Sequence, residues 1–335
     1  MKSLILPPLS VLYNAVTRTR LSLYRRGTFH ATKLDRPVIS IGNITTGGTG
    51  KTPLVEWVAR AVSAEGKKVC ILTRGYGRDN PDRMVIVSDG RTILATPSEA
   101  GDEPFLLATN LLGGAAVISS ADRVAAGTEA IEQFDTDCFV LDDGFQHLRL
   151  ERDLNIVTID ATNPWGGGHL LPYGRLREPL SGLKRADCIV ITRTDQARNI
   201  DELEPEIRKH AGDVPVFHSR MNTSRITRLN HSPETLVPPV AAFCAVGNPS
   251  SFFDSLTHEV VLQKAFPDHH RYSQPEIDSL IDAARSAGAN SLITTAKDAV
   301  KLRSLSFSLP CYVVEIEPRI ENAEELIRLI NSVLR

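Results

Sequence analysis

The sequence predicts an α/β protein built in layers, with a mostly parallel sheet covered by helices on both faces. Three observations lead there. Short, continuous apolar runs recur along the chain, and segments of helical spacing separate them; that is the pattern of parallel strands buried on both sides. The first run ends in a glycine-rich turn that passes at once into a helical segment. Finally, the chain has 335 residues, 42% of them hydrophobic and 23% charged, which allows one large or two ordinary domains with a real core.

The elements follow in order. Pro37-Val38-Ile39-Ser40-Ile41 predicts a strand. Thr52 to Glu65 predicts a helix, because Leu54, Val55, Val58, Ala59 and Val62 share one face. Lys68 to Leu72 is the next strand. Met84–Val87 and Thr92–Leu94 flank the turn dipeptide Asp89-Gly90 and predict a small hairpin. Pro104 to Leu112 reads as helix, Ala115 to Ile118 as strand and Arg123 to Gln133 as helix. Cys138 to Leu141, Leu154 to Ile159 and Cys188 to Ile191 are further strands, and right-handed crossovers should connect them. After Thr194 come a charged helix (Ile200–His210), a strand (Val214–Phe217) and a polar, proline-containing stretch from Thr223 to Pro239 that reads as a linker. A second alternating set then runs through Val240–Val246, Pro249–Leu256, Val260–Leu262, Gln274–Ala287, Ser291–Thr295 and Cys311–Ile316. It ends in a helix from Asn322 to Leu334. The expected division is a basic segment over 1–27, a first domain over 28–220 and a second α/β lobe with the C-terminal helix over 221–335.

Residues 1–27 carry Lys2, Arg18, Arg20, Arg25 and Arg26, and the first carboxylate of the chain is Asp35. A helix starting after Pro7-Pro8 sets Leu9, Leu12, Tyr13 and Val16 on one stripe. A basic amphipathic helix of this kind lies on an anionic membrane surface; the plainer alternative is a helix packed on the domain. Pro7, Pro8, Asn14 and Arg18 break the apolar stretch and argue against a cleaved signal peptide, and no run of apolar residues is long enough for a spanning helix. A net charge of −2 argues against a nucleic-acid partner. The five cysteines are scattered without a CxxC pair and read as reduced core thiols.

The strongest chemical signal is Thr46-Gly47-Gly48-Thr49-Gly50-Lys51-Thr52, set between a strand and a helix. That context is a phosphate-binding loop, and it makes the expected core P-loop NTPase-like. Glycines let backbone N–H groups approach phosphate oxygens, and the helix N-terminus favours an anion. Lys51 reaches the β- and γ-phosphates, and the Thr52 hydroxyl suits Mg²⁺. The first glycine of the usual spacing would fall at Thr45. Asp142-Asp143 ends an apolar strand, where a carboxylate holds Mg²⁺ in such folds. Gly101-Asp102-Glu103-Pro104 opens a helix, and its acids suit either capping or general-base work. The loops carrying Arg74, Tyr76 and Arg78, and Arg175 and Arg177, suit an anionic substrate. Asp268-His269-His270 has too few neighbouring ligands for zinc and fits acid–base tuning or substrate contact better.

These motifs occur together and in one order. Ile41-Gly42-Asn43 runs into Gly47–Pro53, followed by Arg74-Gly75-Tyr76-Gly77, Gly101–Pro104, Asp142–His147, Leu170-Leu171-Pro172 and Leu176-Arg177-Glu178-Pro179. Gly247-Asn248-Pro249 with Phe252-Phe253, Phe266–His270 and Thr295–Asp298 complete the set. The combination resembles the tetraacyldisaccharide 4′-kinases, the lipid A 4′-kinases of Gram-negative bacteria, which share the missing first glycine. The resemblance implies phosphorylation of the 4′-hydroxyl of a tetraacylated disaccharide 1-phosphate, with ATP and Mg²⁺, on the cytoplasmic face of the inner membrane. Its partners would be the lipid A precursor and the lipid surface, with no obligate protein partner. It implies a second, smaller α/β/α lobe joined to the P-loop core by a two-stranded linker, with the site in the cleft.

Carried over by residue, Thr46–Thr52 look like the nucleotide loop, Lys51 the phosphate ligand, and Thr52 with Asp142 and Asp143 the Mg²⁺ ligands. Asp102 looks like the base and His269 its partner; the residues alone do not choose Asp102 over Glu103, nor Asp142 over Asp143. Arg74, Tyr76, Glu103, Gln146, His147, Arg177, Glu178 and His270 look like substrate contacts, and Arg78 and Arg175 would join Arg74 and Arg177 around the 1-phosphate.

Overall fold

The computed structural model describes residues 2–197, 199–229 and 235–334. Helix α1 (Lys2–Arg25) precedes a first set: β1 (Val38–Asn43), α2 (Lys51–Ala64), β2 (Val69–Thr73), β3 (Val85–Ser88), α3 (Pro97–Ala100), α4 (Asp102–Asn110), β4 (Ala115–Ser119), α5 (Arg123–Phe134), β5 (Cys138–Asp142), β6 (Leu154–Asp160), β7 (Cys188–Thr192) and α6 (Ile200–Ala211). Strand β8 (Val216–Arg228) leads into the second: β9 (Val240–Cys244), α7 (Pro249–Asp254), β10 (Val260–Ala265), α8 (Gln274–Ser286), β11 (Ser291–Thr295), α9 (Ala296–Leu302), β12 (Cys311–Ile320) and α10 (Ala323–Val333).

Among the described residues, twelve strands form one sheet in the order β10-β9-β11-β12-β8-β7-β6-β1-β5-β2-β4-β3. Its pairs are parallel except β3–β4 and β8–β12. Successive residues of a strand face opposite layers, and the core shows it. Ile39 and Ile41 of β1 pack with Leu54, Val55 and Val58 of α2, whereas Val38 packs with Ala126 and Ala130 of α5. Val157 and Ile159 of β6 meet Leu203 and Ile207 of α6. The second lobe repeats the plan. Phe243 and Leu292 face Ile277 and Ile281 of α8, and Ala242 and Ile293 face Phe252 of α7. All five cysteines are buried and unbridged.

Several expected boundaries move. Helix α1 begins at Lys2 and carries Pro7 and Pro8 within it, rather than starting after them. The expected hairpin survives only as a bridge between Ser88 and Ile93; β3 pairs instead with β4. Part of the stretch read as linker is ordered strand. Strand β8 continues to Arg228 and pairs antiparallel with β12, from Ser219 opposite Ile320 to Arg228 opposite Tyr312; residues 230–234 of that stretch lie outside the described residues. The boundary after 220 therefore falls within β8. Helix α10, which follows the second lobe in the chain, returns to the first and buries Leu326 and Ile330 in the cluster of α2. An amphipathic terminal helix must cover its apolar stripe, and the sequence does not say which lobe supplies the surface.

The connectivity places the chemistry. Strand β1 lies between β5 and β6, with Ile41 opposite Asp142. The loop after β1 and the acids after β5 thus emerge side by side at the carboxyl edge of the sheet, where open α/β sheets bind ligands.

Candidate active site

The loop between β1 and α2 is held in shape from behind. Gly50 caps α2 with φ of 78° and no side-chain cap, a left-handed conformation that suits glycine and leaves first-turn N–H groups open for an anion. The Thr49 hydroxyl is buried, receives the Asn43 amide at 2.9 Å and meets the Thr158 hydroxyl at 2.9 Å. Its carbonyl accepts from the Thr192 hydroxyl at 3.0 Å. Arg193 pairs with Asp160 and donates to the Gly48 carbonyl at 2.7 Å. Thr49 is thus a brace of the loop. The sequence does not show the Arg193–Asp160 brace, because its partners, at the end of β6, just after β7 and in the loop after β1, are far apart in the chain.

Lys51, the first residue of α2, lies 3.6 Å from Asp143 Oδ1. Arg177 donates to both oxygens of Asp143 at 2.7 Å. Asp142 is buried and accepts the Thr73 hydroxyl at 2.9 Å. The neighbouring acids are driven apart in their protonation. Burial, with Glu103 and Asp143 nearby, pushes Asp142 up to about 7. Burial also works on Asp143, but Lys51 and Arg177 outweigh it and hold that carboxyl below its usual range. Two carboxylates and the Thr52 hydroxyl make an all-oxygen donor set of the kind that suits a hard divalent cation, and the buried, proton-retaining Asp142 marks where a positive charge is wanted. The residues present therefore fit Mg²⁺. Arg123, nearly fully buried at the start of α5, also acts on both acids. Its role was invisible in sequence, since an arginine at the start of a helix normally points to water.

Across the cleft, His269 Nδ1 is 3.5 Å from Asp102 Oδ2. Asp102 keeps 19% side-chain exposure, enough to meet a hydroxyl. Burial works to raise its pKa, but the adjoining His269, Lys301 and Lys297 prevail and hold the carboxyl below its ordinary value. Glu103, the alternative base, is tied to Lys297 at 3.1 Å. A cavity of about 560 Å³ joins Lys51, Thr52, Asp142, Asp143, Arg74, Tyr76, Glu103, Arg177 and His269. It extends between the lobes to Ser224 and Arg225 of β8 and Glu315 and Glu317 of β12. The second lobe touches the nucleotide loop itself, since a Cβ on Gly247 would lie 3.3 Å from the Gly48 nitrogen.

Other expected contacts are not gathered here. His270 bonds Glu276 at 3.0 Å and stacks on Phe266. Glu178 is buried and held by Arg185 at 2.8 Å and by the Gln146 amide at 2.7 Å, so it fixes the loop that presents Arg177. Burial, with Arg123 and Arg152 nearby, pulls His147 down to about 4; it is a neutral, enclosed ring. Arg78 is buried on the Ser119 carbonyl at 2.8 Å, which takes it away from any phosphate. Arg175 lies beside Gly47, on the nucleotide loop. Long polar side chains reach in several directions, and only packing selects one.

Glu56 of α2 gives a stability test at the far end of the cavity. Burial, aided by Glu315 and Glu317, pushes it up to about 7 against the pull of Asn110 and Arg60. Because its folded pKa is raised, the wild type is penalised progressively as pH rises above the unfolded value and fully above about 7. Glu56→Gln retains an oxygen for the Asn110 amide, 2.9 Å away. The variant is expected to unfold with a stability gain of about 3 kcal/mol at pH 8, shrinking to nothing near pH 4; urea titrations at the two pH values measure it, and a pH-independent difference contradicts the burial of an ionisable Glu56.

A nucleotide loop at the sheet edge, facing an acid pair and joined in the cleft by the carboxylate of Asp102 and a histidine from the second lobe, defines the class as a P-loop phosphotransferase. Residues 2–335 match the model of the family described as tetraacyldisaccharide-1-P 4′-kinase, and the chain belongs to that family. A tetraacyldisaccharide 4′-kinase of Geobacter sulfurreducens is 42% identical over 341 residues, covering 97% of this chain and 92% of its own. One of Halothermothrix orenii is 37% identical over 354 residues, covering 98% and 92%. Among solved structures, LpxK from Aquifex aeolicus in complex with ATP is similar over 100% of both chains, with a TM-score of 0.77 at 33% identity.

Proposed function

We propose that this chain transfers the γ-phosphoryl group of ATP to the 4′-hydroxyl of a tetraacylated disaccharide 1-phosphate, the lipid A precursor. Family membership along the whole chain carries the reading, and the geometry supplies a mechanism. Phosphoryl transfer needs positioning and neutralised charge more than covalent chemistry. The amides of residues 47–52 and Lys51 would cradle the phosphates, with the loop prevented from relaxing by Thr192 and Arg193. Thr52, Asp142 and Asp143 would hold Mg²⁺, which supplies charge neutralisation at the phosphates. Asp102 would accept the proton of the 4′-hydroxyl, with His269 orienting it. Arg74, Tyr76 and Arg177, on the cavity wall, would meet the anionic sugar. The test is transfer of labelled phosphate from γ-labelled ATP to detergent-dispersed tetraacyl-disaccharide 1-phosphate. ATP hydrolysis with no labelled lipid would instead make the protein a nucleotide switch.

Helix α1 supports a peripheral seat on the cytoplasmic face of the inner membrane. It is fastened to the domain through the Ser10 and Tyr13 hydroxyls, which donate to the Leu170 and Arg177 carbonyls. Its other side leaves Leu9, Val11, Leu12 and Val16 in solvent, Val11 being 70% exposed. A helix evolved only to pack would not turn four large apolar residues outward, and the nearby arginines complement anionic headgroups. Among the described residues no helix is long and apolar enough to cross a membrane. Because Tyr13 rests on the residue that holds Asp143, the lipid-facing helix and the phosphate site share one support. Deleting residues 1–26 is expected to lower partitioning onto anionic vesicles at least tenfold while ATP affinity persists; unchanged sedimentation with vesicles would refute the seat.

A further inference from the structure

The seam between α4 and α9 contains charges that phosphate handling does not use. Lys297 and Lys301 lie one turn apart on α9, on the second lobe, and each faces one acid of α4. Lys297 reaches Glu103, and Lys301 Nζ is 3.8 Å from Asp102 Oδ2. Lys301 is the more enclosed, with its side chain 7% exposed. Its ammonium is 3.0 Å from Asp298 Oδ1 and 5.4 Å from the centre of the Tyr272 ring. Asp298 is fully buried and cannot swing away. It accepts the Ala245 N–H at 3.0 Å, the Thr295 hydroxyl at 2.7 Å and the Tyr272 hydroxyl at 3.1 Å. A lysine stem is normally free to move; here a fixed carboxylate holds its tip at the lobe boundary.

We propose that Lys301 is a positioning residue for the reaction: fixed by Asp298 on the second lobe, it supplies the positive charge that keeps Asp102 ionised when the lobes meet around the acceptor. The inference rests on the reading of Asp102 as the proton acceptor and goes one step past it. Closing a cleft removes water from Asp102, and burial alone favours the neutral acid. A protonated carboxyl cannot take the proton of a hydroxyl. Bringing the counter-charge in on the lobe that excludes the water couples the two effects, so that Asp102 stays ionised, and able to act as a base, as the cleft closes. The groups that face Asp102 are His269 from the loop before α8, Lys301 and Lys297 from α9, and its neighbour Glu103, already engaged by Lys297. Asp268 lies on the far side of His269, 3.9 Å from its Nε2, and Asp298 and Tyr272 lie behind Lys301.

The test is the pH dependence of phosphate transfer for the full chain at saturating ATP, in Lys301→Met, Lys301→Arg and the double variant Lys301→Met with Asp298→Asn. The double variant leaves no unpaired buried charge in the second lobe, so it reports on Asp102 even where the single variant fails to fold. Loss of a cation about 4 Å from a carboxylate should move the acid limb of the rate profile up by about one pH unit. The loss would then be roughly tenfold on that limb and would close at higher pH. Lys301→Arg, which keeps the charge, should return the limb toward its wild-type position. A folded methionine variant with an unmoved limb, or one with an equal loss at every pH, overturns the proposal and leaves Lys301 a packing residue. Asp102→Asn measured alongside separates the two readings. If it is inactive, an unmoved limb refutes only the role of Lys301; if it is active, the assignment of the base itself is wrong.

Discussion

Asp102→Asn is expected to slow phosphate transfer by roughly 10³-fold while leaving the KM for ATP within about a factor of two. The substitution preserves shape at the start of α4 and removes only the ability to accept a proton. Glu103 does not take over, because Lys297 holds it at 3.1 Å. His269, 3.5 Å away, loses the carboxylate it orients. General-base catalysis contributes between about 10² and 10⁴, and a base whose pKa is held low lies within that range rather than above it, since a weaker base takes the proton with less driving force. Single-turnover transfer of labelled phosphate measures the chemical step directly. Retention of more than a tenth of the wild-type rate would remove Asp102 from the reaction.

The second large effect is at the opposite wall of the cleft. Lys51→Ala is expected to reduce kcat/KM by about 10³-fold, about 4 kcal/mol of transition-state stabilisation. Here, unlike at Asp102, nucleotide affinity should fall as well, because the lysine meets charge that is present before and during transfer. Stability should hardly change. Asp143 loses a neighbour at 3.6 Å and keeps Arg177, which donates to both of its oxygens at 2.7 Å. Lys51→Arg is not expected to restore turnover, since a planar guanidinium cannot occupy the place of a compact ammonium within a tight loop. ATP binding by calorimetry and the transfer assay separate the two components; wild-type turnover in Lys51→Ala would show that the loop is not the phosphate site.

Local pattern carried much of this. The apolar runs at Ile39, Cys70, Val117, Val140, Ile156 and Val190 read as buried parallel strands because a strand covered on both faces has no polar side to hide the signal. The nucleotide loop was legible because its chemistry is contiguous: glycine for close approach, Lys51 and Thr52 at fixed offsets. Less was legible where a side chain's partner is far away in the chain. Glu178 and His147 carry the same motif whether they meet substrate or anchor a loop, and Arg78 reads as a free cation until Ser119 is seen to hold it. The sequence shows only the start of strand β8, because a ribbon shared between two lobes is polar on much of its surface, which is the composition of a linker.

The amino-acid sequence by itself determined the layered α/β architecture, the position of the phosphate loop and the residue types available for metal and base. Those follow from short-range periodicity and from chemistry confined to a few adjacent residues. Tertiary structure alone decided that α10 closes the first lobe, that Arg193 and Asp160 lock the loop, and that Asp102 faces His269 and Lys301 rather than water. Each of those contacts joins segments distant in sequence, and each depends on how much water the packing excludes, a quantity that no local pattern encodes.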